Sequence, residues 1–300
     1  MKRSSLGILV LALAASFGAV AQDGTLGKIK SSGTITVGHR DVSDPFSYLD
    51  DKQQPVGYAM DLCARIVDAV KAELKMPNLK VNYQLVTSAN RIQLLANGTI
   101  DMECGSTTNN AARQEQVWFA ITHFLTPNRW AARKSSNIKS INDLKGKTVV
   151  FTAGTTNIKQ ITELNAAKNL GMNIISANGH AEAFQMVATG RAVAFAMDDV
   201  LLAGLIAKSG NPADFEITAE PISLPEPYGI MVRKDDKPFK ALADRVISDI
   251  YKSGQINAIY EKWFQKPIPP KSINFNLPMS AAFKKVVGKP TDSGDPKDYE

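Results

Sequence analysis

The sequence has few residues of the types that build metal centres or nucleophilic sites. It contains two cysteines, Cys63 and Cys104, and three histidines, His39, His123 and His180, that lie far apart along the chain. Neither cysteine has a neighbouring ligand at the spacing of a metal motif. The chain also has no Gly-x-Ser-x-Gly elbow, and "GTTNIK" lacks the Gly-Lys-Ser/Thr ending of a phosphate loop. We therefore expect neither a metal site nor a cofactor.

The chain also has no strong excess of charge of one sign. The chain has 35 Lys and Arg against 29 Asp and Glu, a formal net charge of +6 at pH 7. The basic residues are scattered rather than clustered, which argues against a nucleic-acid partner. The mild positive balance weakly favours anionic small molecules or an anionic membrane surface.

Long apolar runs are absent beyond the first 20 residues. Within those residues, "MKRSS" is a basic start, "LGILVLALAASFGAV" is an apolar run, and Ala19-Val20-Ala21 is a small-residue cleavage motif. The run is shorter than the roughly 20 residues that span a bilayer. We therefore predict a signal peptide at 1–21, cleaved after Ala21, and an exported protein. An uncleaved signal anchor is the alternative.

Export to an oxidising compartment would allow the two cysteines to pair. Cys63 lies on a predicted helix and Cys104 ends a predicted neighbouring strand. A bond between them would close a loop of about 40 residues, worth about 3–4 kcal/mol in the chain-entropy model. Two buried free thiols are the alternative.

Strand and helix patterns alternate along the rest of the chain. "TITVGH", "VNYQLVT" and "TIDMEC" have the pattern of strands, and "GYAMDLCARIVDAVKAELK" places Leu62, Ile66, Val70 and Leu74 on one helical face. A second unit with the strands "TVVFTAG", "NIISA" and "AVAFAMD" begins near residue 140. This βαβ pattern predicts two α/β lobes, each a mainly parallel sheet flanked by helices.

Two extended segments, "ITHFLTPNRWAARK" and "EPYGIMVRK", separate the units and predict two hinge strands. We expect lobe 1 to comprise 22–126 and 224–270, and lobe 2 to comprise 127–223. Residues 271–300 form a C-terminal extension. Its last dozen residues, "KPTDSGDPKDYE", are rich in charge and proline, so we expect them to be disordered.

Polar clusters fall where the predicted strands end, and ligands of α/β domains bind beyond the carboxyl ends of strands. The clearest cluster is "ECGSTTNNAARQ" at 103–114, which combines hydroxyls, amides and one arginine. Such groups suit a small anion. A catalytic pocket, a docking site for a carried molecule and a polar helix start are all open at this point.

The order of these landmarks resembles that of periplasmic solute-binding proteins for polar amino acids, the two-lobed components of ABC importers. The matching segments cover essentially the whole mature chain and are "GYAMDL", "STTNNAAR", "DLKGKTV", "AGTT", "GRAVAFAMDD", "YGIMVRKDD" and "YEKWF". Within that family, "GHR", "TSANR", "ECGSTTNN" and "ISANGH" are similar to the glutamate/aspartate-binding branch. The resemblance implies a type II periplasmic-binding-protein fold, a monomer in the periplasm, L-glutamate or L-aspartate as ligand, and membrane permease subunits as partners.

The resemblance also implies a set of ligand contacts. Arg113, with its planar fork of donors, would hold the α-carboxylate together with Thr108 and Ser106. Asp198 would hold the ammonium group, and Asp199 beside it is the better plain helix cap. A solvated arginine and a second capping aspartate are the ordinary alternatives for Arg113 and Asp198.

Thr155 and Thr156 open a helix, where their hydroxyl and N–H groups can meet a carboxylate. Each would otherwise be an ordinary helix cap.

Four more residues distinguish the acidic branch by the resemblance, namely Arg40, Ser88, Arg91 and His180. Together they would put up to three further positive groups around the ligand side chain. One aspartate cannot balance these groups, so a second ligand carboxylate would relieve the buried charge.

Two other functions fit the same scaffold. The first is a periplasmic enzyme similar to cyclohexadienyl dehydratases, in which His180 would be the acid or base. The second is a ligand module that reports to a membrane sensor. No appended catalytic domain fits beside two lobes in the 279 residues that remain after removal of 21 from 300. We therefore expect a binding protein and no enzyme.

Overall fold

The computed structural model describes residues 24–300. The predicted signal peptide and its cleavage site after Ala21 lie outside the described residues. The described chain forms two α/β lobes, each with a five-stranded sheet, joined by a two-stranded sheet. No helix between residues 24 and 300 has both the length and the hydropathy that a bilayer crossing requires.

Lobe 1 begins with the N-terminal part of the described chain. Its helices are α1 (Thr25–Ser32), α2 (Tyr58–Leu74), α3 (Arg91–Ala96) and α4 (Ala111–Gln114). Its strands are β1 (Thr34–His39), β2 (Val42–Ser43), β3 (Ser47–Leu49), β4 (Pro55–Val56), β5 (Lys80–Leu85), β6 (Met102–Glu103) and β7 (Val117–Phe119). The chain then leaves lobe 1 through β8 (Phe124–Thr126).

Lobe 2 is a continuous stretch of chain. Its strands are β9 (Asn128–Arg133), β10 (Thr148–Thr152), β11 (Asn173–Ala177), β12 (Ala194–Asp198) and β13 (Phe215–Ile217). Its helices are α5 (Asn157–Ala167), α6 (His180–Ala188) and α7 (Asp199–Lys208), with short 3-10 helices at Lys134–Ser136, Ile141–Leu144 and Pro212–Asp214.

The chain then returns to lobe 1. The returning strands are β14 (Glu226–Tyr228) and β15 (Met231–Arg233), followed by α8 (Lys237–Lys252), α9 (Gln255–Phe264), α10 (Ala281–Gly288) and a 3-10 helix at Pro296–Tyr299. Since α8 and α9 pack on α2, the first lobe is built from two separate parts of the chain.

Both large sheets are mixed rather than mainly parallel. In lobe 1 the order is β5-β1-β6-β15-β7, in which β1 is parallel to β5 and β6 and β15 is antiparallel to β6 and β7. In lobe 2 the order is β11-β10-β12-β9-β13, and β9 is antiparallel to β12 and β13. The strands β9 and β15 enter directly from the hinge, without a crossover helix to make them parallel. The two-lobed α/β fold itself is confirmed.

The hinge is the antiparallel pair β8 and β14, with Leu125 opposite Pro227. Aromatic packing anchors this pair on lobe 1. The Phe124 ring centroid lies 4.9 Å from those of Phe46 and Phe264, and the Tyr228 centroid lies 5.2 Å from that of Phe46. These contacts pack the hinge pair firmly against lobe 1.

Helix α2 buries the face that its periodicity predicts. Leu62, Ile66 and Val70 are fully buried, and Leu74 packs at the edge of the core. The neighbouring Cys63 forms a disulfide with Cys104, which confirms the predicted pairing and ties α2 to the end of β6.

The end of the chain differs from its predicted disorder. Tyr299 is 5% exposed, and its hydroxyl lies 2.8 Å from Thr122 Oγ1 and donates to the Ser293 carbonyl over 2.7 Å. Charge and proline content predicted disorder here. The segment is ordered by one buried aromatic residue and by backbone carbonyls that accept hydrogen bonds from lobe 1.

Candidate functional site

A small cleft lies between the lobes, at the carboxyl ends of their parallel strands. It is lined by nine of the ten predicted ligand contacts, which are Ser88, Arg91, Ser106, Thr108, Arg113, Thr155, Thr156, His180 and Asp198. Arg40 does not line this cavity, but its Nη2 lies 3.5 Å from His180 Nε2. Three further lining residues, which the sequence reasoning missed, are Asn157, Met197 and Leu201.

Arg113 is held by both lobes. It lies on α4, whose N-cap Asn110 accepts a hydrogen bond from the Arg113 N–H over 2.9 Å. Its Nη1 donates to the Thr108 carbonyl over 2.8 Å, and its Nη2 donates to the Gly154 carbonyl of lobe 2 over 3.0 Å. Burial, followed by the charge of Arg91, lowers the pKa of Arg113 to about 9, so it stays cationic at neutral pH.

Buried donors without acceptors gather around the cavity. Among the described residues, Nε and Nη1 of Arg40, the same two atoms of Arg91, and the hydroxyls of Ser88 and Ser106 have no hydrogen-bond partner. The four residues are between 2% and 5% exposed. Six such atoms in one place are unusual, because buried donors are nearly always paired. A carboxylate supplies several acceptor positions and a compensating charge.

His180 is neutral rather than a further positive group. It begins α6, with Nδ1 2.9 Å from Thr152 Oγ1 and Nε2 facing Arg40. Burial, then the charges of Arg40 and Arg91, hold the pKa of His180 well below its usual range. Because a guanidinium only donates, Nε2 is the accepting nitrogen and Nδ1 carries the proton. Of the up to three further positive groups expected around the ligand side chain, two remain, Arg40 and Arg91.

Asp198 points into the cavity from the end of β12. Its carboxylate accepts hydrogen bonds from Asn157 Nδ2, over 3.1 Å, and from the Tyr228 hydroxyl on the hinge. Burial raises its pKa. Asp199 instead accepts from Thr126 Oγ1 on the hinge over 2.8 Å and pairs with Arg129 at 3.3 Å. Asp199 is thus not simply a helix cap, because its carboxylate accepts a hydrogen bond from the hinge residue Thr126.

The two threonines after β10 face other protein groups. Thr155 Oγ1 donates to the Thr152 carbonyl over 2.7 Å, and Thr156 Oγ1 donates to Glu226 Oε2 over 3.4 Å. Thr156 occupies the N-cap position of α5 but makes no side-chain capping bond. The ordinary capping role therefore does not explain either hydroxyl.

Two buried carboxylates were missed by the sequence reasoning. Glu103, fully buried at the end of β6, accepts from Thr107 Oγ1 over 2.7 Å and lies 3.9 Å from Arg91 Nη1. Glu226 on β14 is 6% exposed, and burial, then the charge of Asp198, raises its pKa to about 7. The expectation that one aspartate alone faces the arginines is therefore wrong. Glu103 stands at the carboxyl end of a strand, the signal that identified the other candidates, whereas Glu226 begins β14 and carries no such signal.

No group of three or more His, Cys, Asp or Glu side chains within residues 24–300 is arranged to hold a metal ion. The charged groups of the cavity contact each other and backbone carbonyls instead. The geometry suits a small zwitterion with at least one carboxylate, because cationic donors and a buried carboxylate face the same space.

Residues 35–266 match the family described as bacterial extracellular solute-binding proteins, family 3. This range spans both lobes and the hinge. The chain belongs to that family.

Curated members of the solute-binding family cover almost the whole chain. The L-glutamate/L-aspartate-binding protein of Pseudomonas aeruginosa is 53% identical over 289 residues, which is 96% of this chain and 95% of that protein. The glutamate/aspartate import solute-binding protein of Escherichia coli is 45% identical over 297 residues, 97% of this chain and 98% of that protein.

A solved structure of ArgBP from T. maritima superposes with a TM-score of 0.70 at 28% identity, covering 80% of this chain and 99% of that one. The predicted family resemblance and the type II fold are thus confirmed. The roles of individual cavity residues stay predictions.

Proposed function

We propose that this solute-binding protein captures L-glutamate or L-aspartate between its lobes and delivers it to the permease subunits of an ABC importer. The observation that carries the proposal is the set of six buried donor atoms around the cavity, on Arg40, Ser88, Arg91 and Ser106, that make no hydrogen bond within residues 24–300. A ligand with two carboxylates satisfies more of these donors than one with a single carboxylate.

The charges divide the cavity into corners. Arg113, Thr108 and Ser106 receive the α-carboxylate, and Asp198 receives the α-ammonium group. Arg40, Arg91 and Ser88 surround the side-chain carboxylate, with Glu103 behind the arginines. The total charge does not select an acidic ligand, because Glu103 and Glu226 offset much of the positive charge. The position of the unpaired donor atoms selects an acidic ligand instead.

Closure of the lobes is part of this function. The carboxylate corner belongs to lobe 1 and the ammonium corner to lobe 2, so a ligand makes all its contacts only in the closed state. Ligand binding then shifts the population toward closure in proportion to its extra affinity for that state. The hinge pair β8 and β14 supplies the bend.

The curated relatives support the choice of ligand, since both are named for glutamate and aspartate. Both are also named as binding proteins, which supports the expectation that this chain binds its ligand and does not act on it as an enzyme. A monomer in the periplasm with a removed signal peptide fits this role. An acid or base role for His180 is disfavoured, because both ring nitrogens face protein groups.

Calorimetric titration of the purified protein with glutamate, aspartate, glutamine and asparagine tests the proposal. We expect heats of tight binding for the two acids and affinities at least about 100-fold weaker for the two amides, the cost of leaving charged donors poorly paired. Equal affinity for glutamate and glutamine, or binding of the amides alone, would overturn the choice of ligand while leaving the family unaffected.

A further inference from the structure

The last residues of the chain lie against the part of lobe 1 that carries Arg113. We call residues 289–300 the C-terminal strap. The family match ends at residue 266, so the strap lies outside it. Asn109 Nδ2 donates to the Asp292 carbonyl over 2.8 Å, and Gln114 Nε2 donates to the same carbonyl over 3.3 Å. Asn109 lies two residues before α4 and Gln114 is its last residue, so the strap holds the short helix at both ends.

A glycine brings the strap backbone into contact with the start of α4. A Cβ atom added to Gly294 would lie 2.9 Å from Asn110 Cα and 3.1 Å from the Ala111 nitrogen. Asn110 is the residue that caps α4 and accepts from the Arg113 N–H. The strap therefore rests directly on the turn that orients Arg113.

The same turn is held by the hinge on its other side. The Asn109 N–H donates to the Pro227 carbonyl of β14 over 2.7 Å, and Thr108 forms a β-bridge with Tyr228. Segment 108–111 is thus fixed between the hinge and the strap. Four residues of helix have little stability of their own, since isolated short helices do not persist in water.

The strap is itself anchored away from the cavity. The Thr122 N–H donates to the Thr291 carbonyl over 2.9 Å, Lys240 pairs with Asp292 at 2.7 Å, and the buried Tyr299 hydroxyl bridges Thr122 and Ser293. These contacts reach α8 and the chain before β8. The strap therefore links α4 to the core of lobe 1.

We propose that the C-terminal strap is a positioning segment that holds Arg113 and Thr108 in the geometry that receives the ligand α-carboxylate. This inference rests on the proposed function, because it takes Arg113 and Thr108 as ligand contacts. The strap contacts described above reach the Arg113 corner of the cavity and not the corners proposed for the ammonium group and the side-chain carboxylate. Loosening the strap should thus weaken all amino acid ligands by one common factor, since they share the α-carboxylate.

The test compares two Gly→Ala variants of the C-terminal extension. Gly294→Ala forces the strap away from Asn110, whereas Gly288→Ala adds a methyl group with no neighbour within 4 Å and is the matched control. Titration at 25 °C should show glutamate and aspartate binding each weakened about tenfold in Gly294→Ala, the size expected when one or two hydrogen bonds are disturbed. Gly288→Ala should bind like the original protein.

A second variant covers the case in which Gly294→Ala does not fold. Tyr299→Phe removes the hydroxyl bonds to Thr122 and Ser293 but keeps the buried ring, and it should weaken both ligands by a common, smaller factor of about threefold. The melting temperature without ligand is measured for each variant. A segment with a structural role alone would lower that temperature and leave the dissociation constants unchanged.

Unchanged dissociation constants in both strap variants would overturn the positioning role. A loss that differs between glutamate and aspartate, or that spares one of them, would overturn it too, because the strap would then act elsewhere in the cavity. The variant Arg113→Ala separates this inference from the proposed function. If Arg113→Ala binds glutamate normally, the assignment of the carboxylate corner has failed, whatever the strap variants show.

Discussion

The guanidinium of Arg113 in lobe 1 donates a hydrogen bond to the carbonyl oxygen of Gly154 in lobe 2 over 3.0 Å. Gly154 has φ +78°, and a Cβ atom there would lie 2.5 Å from Ala89 Cα and from the Ser88 carbonyl. Only glycine allows both this conformation and this approach of the lobes. The side chain proposed to hold the ligand carboxylate therefore also joins the lobes in the closed state.

Replacement of Arg113 by lysine should strongly weaken ligand binding. Arg113→Lys keeps a positive charge but loses the fork that reaches Thr108 and Gly154. We expect glutamate affinity to fall at least about 100-fold, the cost of two charge-assisted hydrogen bonds. Calorimetry measures the loss, and Arg65→Lys on the exposed face of α2 is the matched control. Binding of Arg113→Lys within tenfold of the original protein would contradict the assignment.

Replacement of Arg91 should change selectivity more than it changes general affinity. Its side chain is buried, with two donor atoms that have no partner among the described residues, and Glu103 lies 3.9 Å away. In Arg91→Met we expect glutamate binding to weaken about 100-fold and glutamine binding to change several-fold at most. Competition titrations of the two ligands measure the ratio. Equal losses for both would show that Arg91 does not contact the side-chain carboxylate.

Much of the cavity could be predicted because its residues share one position in the fold. Ser88, Ser106 and Thr155 follow strands and Asp198 ends one, and the carboxyl ends of parallel strands meet at one edge of a sheet. That rule places side chains from distant parts of the sequence in the same region without any knowledge of the distances between them.

The remaining features depend on long-range contacts that no local pattern contains. The lowered pKa of His180 follows from its burial and then from the charge of Arg40, which is 140 residues away in the sequence. The burial of Glu226 depends on how the hinge packs against α5. The order of the strap depends on Tyr299 meeting Thr122, 177 residues earlier. Composition described the strap correctly as polar and charged, but it could not show which surface the strap covers.

Glu226 should make the stability of the protein depend on pH. Burial, followed by the charge of Asp198, raises its pKa from 4.5 to about 7, while Arg113 and the side chains of Gln160 and Thr156 oppose the rise. The folded protein thus holds this proton more tightly than the unfolded chain. The contribution is fully present below pH 4.5 and is lost as pH rises through 7, by up to about 3 kcal/mol in total.

Urea unfolding of the original protein and of Glu226→Gln between pH 5 and pH 8 measures this contribution. The glutamine keeps an acceptor for Thr156 but does not titrate. We expect the free energy of unfolding to fall less with rising pH in the variant, so that it gains relative stability at pH 8. Parallel pH profiles for the two proteins would show that Glu226 titrates in its ordinary range.

A second contact between the lobes lies at the rim of the cleft. Lys208 Nζ at the end of α7 lies 2.5 Å from Asp44 Oδ1 in lobe 1 and 4.8 Å from the centroid of the Tyr48 ring. Asp44 is 4% exposed, and burial raises its pKa while Lys208 lowers it. Opening of the lobes would break this pair and expose both charges to water.

We therefore expect the pair Asp44 and Lys208 to slow ligand release. Lys208→Met leaves a buried carboxylate without its cation in the closed state only, because opening returns Asp44 to water. The closed state should lose stability, and glutamate should dissociate about tenfold faster with little change in its association rate. The ratio of glutamate to aspartate affinity should not change, since neither residue lines the cavity.

Stopped-flow displacement measures the dissociation rate, with Lys168→Met, an exposed lysine after α5, as the matched control in lobe 2. The double variant Asp44→Asn with Lys208→Met tests the cause. Removing both charges takes away the buried unpaired carboxylate, so the double variant should release glutamate more slowly than Lys208→Met alone. If the single variant releases glutamate at the original rate, the pair does not stabilise the closed state. Closure would then depend on the ligand and on other contacts between the lobes, such as those of Arg113 with Gly154 and of Arg40 with His180.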